Sequence, residues 1–357
     1  MQPDYGLVLS DKFNLRSVLG FIISGVLLWL AIHQSGLELR SIHMSMTEGI
    51  YFAGSMFAFV LATWFQSMRA KIVWLKRGAN WKEPATFSSL SIGNFYNCVL
   101  PGNLGDAVRA WHFARRQRIP FASSLASIIT EKWLDAQMFV VISVILFMIS
   151  PLSGDYIFLA IYYTATVAAL LGILYLLMLR YVLLEKALWR IVVALRRPGR
   201  FLYRIYKYAS WQMSGIRQHG FVGAYLFFCS GAFLLNVAQF FLLLKAAGIS
   251  GPVASVYTAY LTAVSMMIIA FIPSAPGNVG VLHYGLYLVL ILAAKINGAG
   301  TEHAALQSYA LFGIYTHLSF LVPEVVVGGV FLLRDGRYLY GRWPGDAPVA
   351  KNITPDA

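Results

Sequence analysis

Two stretches decide how this chain is read: Leu100-Pro101-Gly102-Asn103-Leu104-Gly105 and Ala275-Pro276-Gly277-Asn278-Val279-Gly280. Each interrupts an apolar run. Proline removes a backbone donor and breaks a helix, and broken backbone at membrane depth persists only where protein or a watery cavity satisfies it. Around these stretches the 357-residue chain is 59% hydrophobic and 12% charged. A typical soluble domain carries about 25% charged residues. The apolar runs also reach the length of about 20 residues that a bilayer requires of a helix. A disordered chain, a disulfide scaffold and an ordinary cytosolic enzyme are excluded, and an all-α polytopic integral membrane protein is expected.

About six full spans are expected, near 17–33, 49–68, 121–149, 156–179, 221–244 and 304–333. Lys12 and Arg16 precede the first run, which reads as an uncleaved membrane helix because no small-residue cleavage site follows it. Lysine and arginine outnumber aspartate and glutamate 28 to 15. They lie between the hydrophobic runs, not in a basic domain, so lipid headgroups are the expected partner and nucleic acid is not. The stretches 69–82, 109–118, 180–217 and 334–351 hold most of them, whereas 34–48, 150–155 and 295–303 are nearly free of them. The positive-inside bias then places both termini in the cytoplasm and the chain in the cytoplasmic (inner) membrane. Cys98 and Cys229 are far apart in sequence and imply neither a disulfide nor a metal framework.

The two Pro-Gly-Asn stretches suggest an inverted-topology repeat, because a matched pair of Gly/Pro-interrupted segments points to a transporter binding site. The first has cytoplasmic charge on both sides and should dip in from that face. The second lies between outward stretches and should dip in from outside, or else cross as a pair of spanning half-helices over 253–294. Residues 1–150 form the first half in this reading, 151–335 the inverted second half, and 336–357 a cytoplasmic tail. A basic segment at 181–219, with Leu184, Leu188, Ile191, Val192 and Leu195 at helical spacing, should lie on the inner leaflet.

Ionisable residues inside apolar helices are costly and usually face a cavity or a partner. Glu131 and Asp135 share one helix face, with Lys132 between them. Arg109, just past the first break, is the expected partner for these acids. Such a pair reads equally as a structural lock or as part of a transport cycle. Asp106 is placed to cap or start the short helix that runs to Arg118 after the break, where a helix N-terminus and Arg109 together suit a phosphate. Asn97, Asn103 and Asn278 offer neutral hydrogen bonds. Gly102, Gly105, Gly277 and Gly280 permit close backbone approach beside Pro101 and Pro276. His283 follows the second break, His317 lies in the last span, and Glu324 sits beside Pro323. The two histidines read more simply as packing residues.

No HExxH, GxSxG, Walker loop or Cys/His metal spacing occurs, and the motifs require no cofactor. The pattern Asn97-x3-Pro101-Gly102-x2-Gly105-Asp106-x2-Arg109, then Glu131-Lys132-x2-Asp135, then Pro273-x2-Pro276-Gly277-x2-Gly280 resembles the lysylphosphatidylglycerol synthase transmembrane-region family, also called flippase-like domain proteins. The resemblance runs from the first span to Asp335. It implies movement of aminoacylated, glycosylated or polyprenyl-linked lipids between leaflets. Some members carry a glutamate near the second motif where this chain has His283. The chain shows no soluble aminoacyl-transfer domain, so lysyl transfer is not carried over. A flippase-like transporter is expected. The alternatives are a non-transporting subunit that presents a lipid to a glycosyltransferase, and a lipid-modifying transferase using Glu131, Asp135 and His283.

Overall fold

The computed structural model describes residues 15–37, 44–74, 85–100, 104–148, 198–199, 201–212, 221–269, 275–299 and 302–340. The described residues are helical, and no strand occurs among them. The helices are α1 (Leu15–Ser35), α2 (Met46–Trp74), α3 (Ala85–Val99), α4 (Gly105–Gln117) and α5 (Phe121–Met148). A helical segment at 201–212 is α6. Then follow α7 (Val222–Ala246), α8 (Val256–Ile269), α9 (Val281–Ile296), α10 (His303–Asp335) and a final turn, α11 (Arg337–Tyr340). The expected span at 156–179, most of the basic segment 181–219, the tail beyond 340 and the first break's Pro101, Gly102 and Asn103 lie outside the described residues.

Among the described residues, four stretches are long and apolar enough to cross a membrane: Met46–Ile72, Val222–Ala246, Pro276–Ile296 and His303–Asp335. Their packing has a membrane pattern. Large apolar side chains such as Phe57, Phe227, Leu234 and Val326 are exposed, while Ser55, Thr63 and Ser67 are buried. Each of these hydroxyls donates to a carbonyl three or four residues back, Ser55 to Phe52, Thr63 to Phe59 and Ser67 to Trp64. Small polar residues therefore face neighbouring helices, and bulky apolar ones face outward, as lipid solvation permits.

α2 and α7 form the most extensive helix pair. They run antiparallel, with Gly54 against Leu242 and Phe65 against Gly231. α10 is the spine. Its C-terminal half packs on α3, where Gly328 meets Ser91 and Phe95, and its N-terminal half packs on α9, where Gly313 meets His283. Helix ends group accordingly. Gly36 of α1 accepts from Gln307 near the start of α10, while Asp335 at the end of α10 pairs with Arg116 at the end of α4. α6 docks on α5 through Gln212, whose amide donates to the Ser123 carbonyl, and through Ile205, Tyr208 and Ala209 against Ala122 and Ala126.

One element differs from the sequence reading, and one follows it. α2 runs to Trp74, so Arg69, expected in a basic loop, is a buried helical residue. The 253–294 segment is two helices of 14 and 16 residues around a break, or about 21 and 24 Å each.

The break itself is a tight turn, Pro276–Asn278, held against α1. The Ala275 N–H donates to the Ser24 hydroxyl at 2.8 Å. Gly277 and Gly280 take φ of 69° and 83°, in the left-handed region. A Cβ at Gly280 would collide with the Ser24 backbone. Gly280→Ala should therefore cost at least about 2 kcal/mol, from a strained φ plus a clash. Gly329→Ala, on a helix with open space around its Cβ position, should stay within about 0.5 kcal/mol. Thermal unfolding of detergent-solubilised protein checks both.

Candidate functional site

α3 and α4 form a helical hairpin around the first break. Gly93 and Gly105 let the two backbones touch, since a Cβ on Gly105 would collide with the Gly93 carbonyl and the Asn97 side chain. The hairpin brings Ser89 beside His112, at 2.8 Å, and Arg109 against Gly93. α5 then packs on α4 and presents Glu131 and Lys132 to it.

Arg109 Nη2 donates to Glu131 Oε2 at 2.7 Å, and the Glu131 side chain is 3% exposed. Asp135, one turn on, does not join Arg109. Its partner is Arg69 of α2, with Cys229 of α7 also against both groups. Each acid thus has its own guanidinium, from a different helix. Asp106 makes no side-chain cap at the start of α4, where Leu104 is the N-cap residue. It pairs instead with Lys132 at 2.8 Å, at the exposed side of α5. Asp106 thus lies in the first turn of α4, one of the two expected roles, while the other, a side-chain cap, is corrected for a physical reason: an ammonium within reach outcompetes a backbone N–H that the turn already orients.

Hydroxyls surround the Arg109–Glu131 pair. Thr86, Ser89, Ser124, Ser127, Ala70, Phe113 and Ile128 line one cleft with it, and the free space is about that of a single water. Sequence reading missed these hydroxyl residues. The signal was present, because Ser123, Ser124, Ser127, Thr130 and Glu131 recur at helical spacing on α5 and are all buried. Arg69 was missed because it ends an apolar run and was read with the basic residues that follow it.

The second break has its own polar cluster. Cys98 Sγ donates to Glu324 Oε2 at 2.9 Å. The His283 and His317 rings meet edge to face at 5.0 Å between centroids. His283 Nδ1 accepts the Gly280 N–H at 3.3 Å. A Cβ on Gly277 would lie 3.5 Å from His317 Nε2 and 3.7 Å from the Cys98 carbonyl. The end of α3, just before the first Pro-Gly stretch, therefore touches the second break. Glu324 also shares a cleft with Thr63, Ser91, Asn94 and Pro323.

The structure thus gathers Asn97, Gly105, Asp106, Arg109, Glu131, Lys132 and Asp135 on one side of this junction. It gathers Pro276, Gly277, Asn278, Gly280, His283, His317 and Glu324 on the other. No cluster of three or more His, Cys, Asp or Glu suited to a metal occurs among the described residues. The chemistry on offer is charge recognition and hydrogen bonding: guanidiniums and hydroxyls for an anionic group, and carboxylates that can exchange places with it.

A further lock joins α4 to the end of α10. Arg116 pairs with Asp335 at 2.5 Å and with Ser88, and His112 bridges Ser89 and the Asp335 carbonyl. It holds the far end of the α3–α4 hairpin against the spine.

Comparison with known families finds one match, to the lysylphosphatidylglycerol synthase TM region, over residues 17–322. Searches of curated proteins and of solved structures found no match. The matched region takes in α1 to α9 and most of α10, with both breaks and all of the charged pairs except those of the α4–α10 lock. The chain belongs to the lysylphosphatidylglycerol synthase TM-region family and is a multi-pass membrane protein.

Proposed function

We propose that the chain moves a lipid with an anionic headgroup, aminoacylated, glycosylated or polyprenyl-linked, between the leaflets of the cytoplasmic membrane. The observation that carries this is the buried Arg109–Glu131 pair, set in a hydroxyl-lined interior of the α3–α4 hairpin and α5. A structural protein gains little from burying a pair whose desolvation offsets most of its attraction. A transporter needs such a pair, because the headgroup must find a charged, hydrogen-bonding environment at a depth where lipid offers none. The tails stay in the bilayer while the headgroup passes between the hairpins.

An inverted repeat supports the reading. Alternating access works by rocking one half against its inverted copy around a central site. The two motifs lie 175 residues apart. The Gly54–Leu242 and Phe65–Gly231 contacts set Leu61 opposite Leu235 in the α2–α7 pair. A shift of 175 residues carries Leu61 to Asn236, one position away. Equivalent helices crossing at equivalent residues is what a two-fold axis in the membrane plane requires. In this arrangement the α3–α4 and α8–α9 pairs enter from opposite faces, and Arg337 and Lys295 lie on opposite sides. The family's name refers to a synthase, but the charged pairs here form no nucleophile–base arrangement, so we infer transport without change to the lipid.

Reconstitution in vesicles with fluorescent or native lipid extract tests the function. Wild-type protein should speed leaflet exchange, and absence of exchange by folded protein would refute it. Arg109→Gln should abolish exchange and cost about 3–5 kcal/mol, because Glu131 is left buried without a cation. Adding Glu131→Gln should recover most of the stability and none of the exchange, as read by thermal unfolding and the vesicle assay together. Recovery of both would make the pair a lock alone. Orientation has its own check. With Cys98 and Cys229 replaced by serine, Lys295→Cys should react with an impermeant maleimide in intact cells, and Arg337→Cys only after permeabilisation.

A further inference from the structure

α5 carries two carboxylates one turn apart, and each holds a guanidinium delivered by a different helix, Arg109 by α4 and Arg69 by α2. Neighbours at this spacing have Cβ atoms about 5–6 Å apart. Ala70, next to Arg69, lines the cleft of Arg109 and Glu131, and Glu131 acts electrostatically on Arg69 as well, so the two pairs are neighbours. Each pair is also under-used. Among the described residues, Arg69 reaches Asp135 through Nη1 alone and Arg109 reaches Glu131 through Nη2 alone. A guanidinium has five N–H donors and binds oxyanions best as a fork.

Spare donors sit beside them. Arg69 Nε, the Tyr225 hydroxyl and the Ser124 hydroxyl are buried without a hydrogen-bond partner among the described residues. Their residues are 6%, 3% and 1% exposed. The Arg69 guanidinium lies 6.0 Å from the Tyr225 ring centre, and Ser124 lines the cleft with Arg109. Buried polar groups are normally paired, and leaving one unpaired costs about 1–3 kcal/mol. Several orphan donors around two singly held guanidiniums describe a site built for more acceptor oxygens than two carboxylates supply.

Building on the proposed function, we infer that the lipid carried is a diphosphate, with one phosphoryl group on Arg109 and the other on Arg69. Glu131 and Asp135 occupy the two guanidiniums while the ligand is absent. A phosphodiester has one charged centre and would release only one of the two pairs. A diphosphate carries negative charge on two phosphorus atoms joined through one oxygen, which suits two guanidiniums a single helical turn apart. Its oxygens also suffice for the Ser124 and Tyr225 hydroxyls and Arg69 Nε. Glu131 and Asp135 swing off as the ligand arrives, so they compete with it.

Binding to purified full-length protein in detergent tests this, with geranylgeranyl diphosphate, geranylgeranyl monophosphate and inorganic diphosphate as probes. The lipid diphosphate should bind at least about tenfold more tightly than the monophosphate, the value of one charge-assisted hydrogen bond. Arg69→Lys, which keeps the charge beside Asp135 but not the fork, should lose about tenfold or more for the diphosphate and little for the monophosphate. Glu131→Gln should tighten diphosphate binding, because a competing anion is gone. Equal affinity for the mono- and diphosphate lipids, or weaker binding by Glu131→Gln, would overturn the inference. Inorganic diphosphate binding as tightly as the lipid would overturn the assignment to a lipid. Leaflet exchange of other lipids without diphosphate binding defeats this inference and leaves the proposed function standing. Diphosphate binding without exchange does the reverse.

Discussion

The controlling constraint is backbone satisfaction at the second helix break. A helix interrupted inside a membrane leaves N–H and C=O groups with no water to take them, at a cost of several kcal/mol each. Here the partners are specific. The Ala275 N–H goes to the Ser24 hydroxyl, the Asn278 N–H to the Ala275 carbonyl, and the Gly280 N–H to His283 Nδ1. These bonds fix α1 across the second break and set the His283 ring against His317 of α10. α3 then ends against the same turn, through the Cys98 carbonyl beside Gly277. The position of three helices follows from the need to pair three amides.

Charge pairing is the second constraint, and it acts on α5. A carboxylate in an apolar helix must meet a cation or lose its charge. Glu131 and Asp135 meet theirs from different helices, α4 for one and α2 for the other. α5 is thereby tied to the first hairpin and to the central α2–α7 pair at once. Because each tie costs desolvation nearly equal to its attraction, it contributes little net stability while strongly penalising any arrangement that leaves a partner unpaired. That balance specifies geometry without freezing it, which suits a site that must exchange internal anions for a ligand's.

Much of this was legible in the sequence. Pro and Gly at matched positions marked both breaks, because no other residues end a membrane helix so abruptly. The Glu131–Arg109 pair followed from two costly charges on facing elements. Helix boundaries at charged ends were not legible. Arg69 follows an apolar run and precedes Lys71, Lys76 and Arg77, so composition assigns it to a loop; only the partner Asp135, 66 residues on, makes burial there favourable. The Asp106 cap failed similarly, since the competing Lys132 arrives through tertiary packing. The serine stripe of α5 was readable from periodicity, yet hydroxyls are common in membrane helices, where they bond their own backbone. Ser127 and Thr130 do this. Ser124 does not, and that difference exists only in three dimensions.

α10 makes the two regions one mechanical unit. Its C-terminal half holds the α3–α4 hairpin through Gly328 and the Arg116–Asp335 lock, and its N-terminal half holds α9 through Gly313 and His317. Between them stand Pro323, where a helix loses a hydrogen bond and bends most easily, and Glu324, which accepts from Cys98. The cleft at Arg109 has room for about one water, so any headgroup requires α4 and α5 to separate. α4 cannot move far while Arg116 and His112 are held by the end of α10. Either that lock releases, or the lower half of α10 travels with the hairpin and bends at Pro323. The second course breaks fewer buried ion pairs. It leaves the N-terminal half of α10 on α9 and concentrates the change at the Cys98–Glu324 contact, close to where the end of α3 meets the second break.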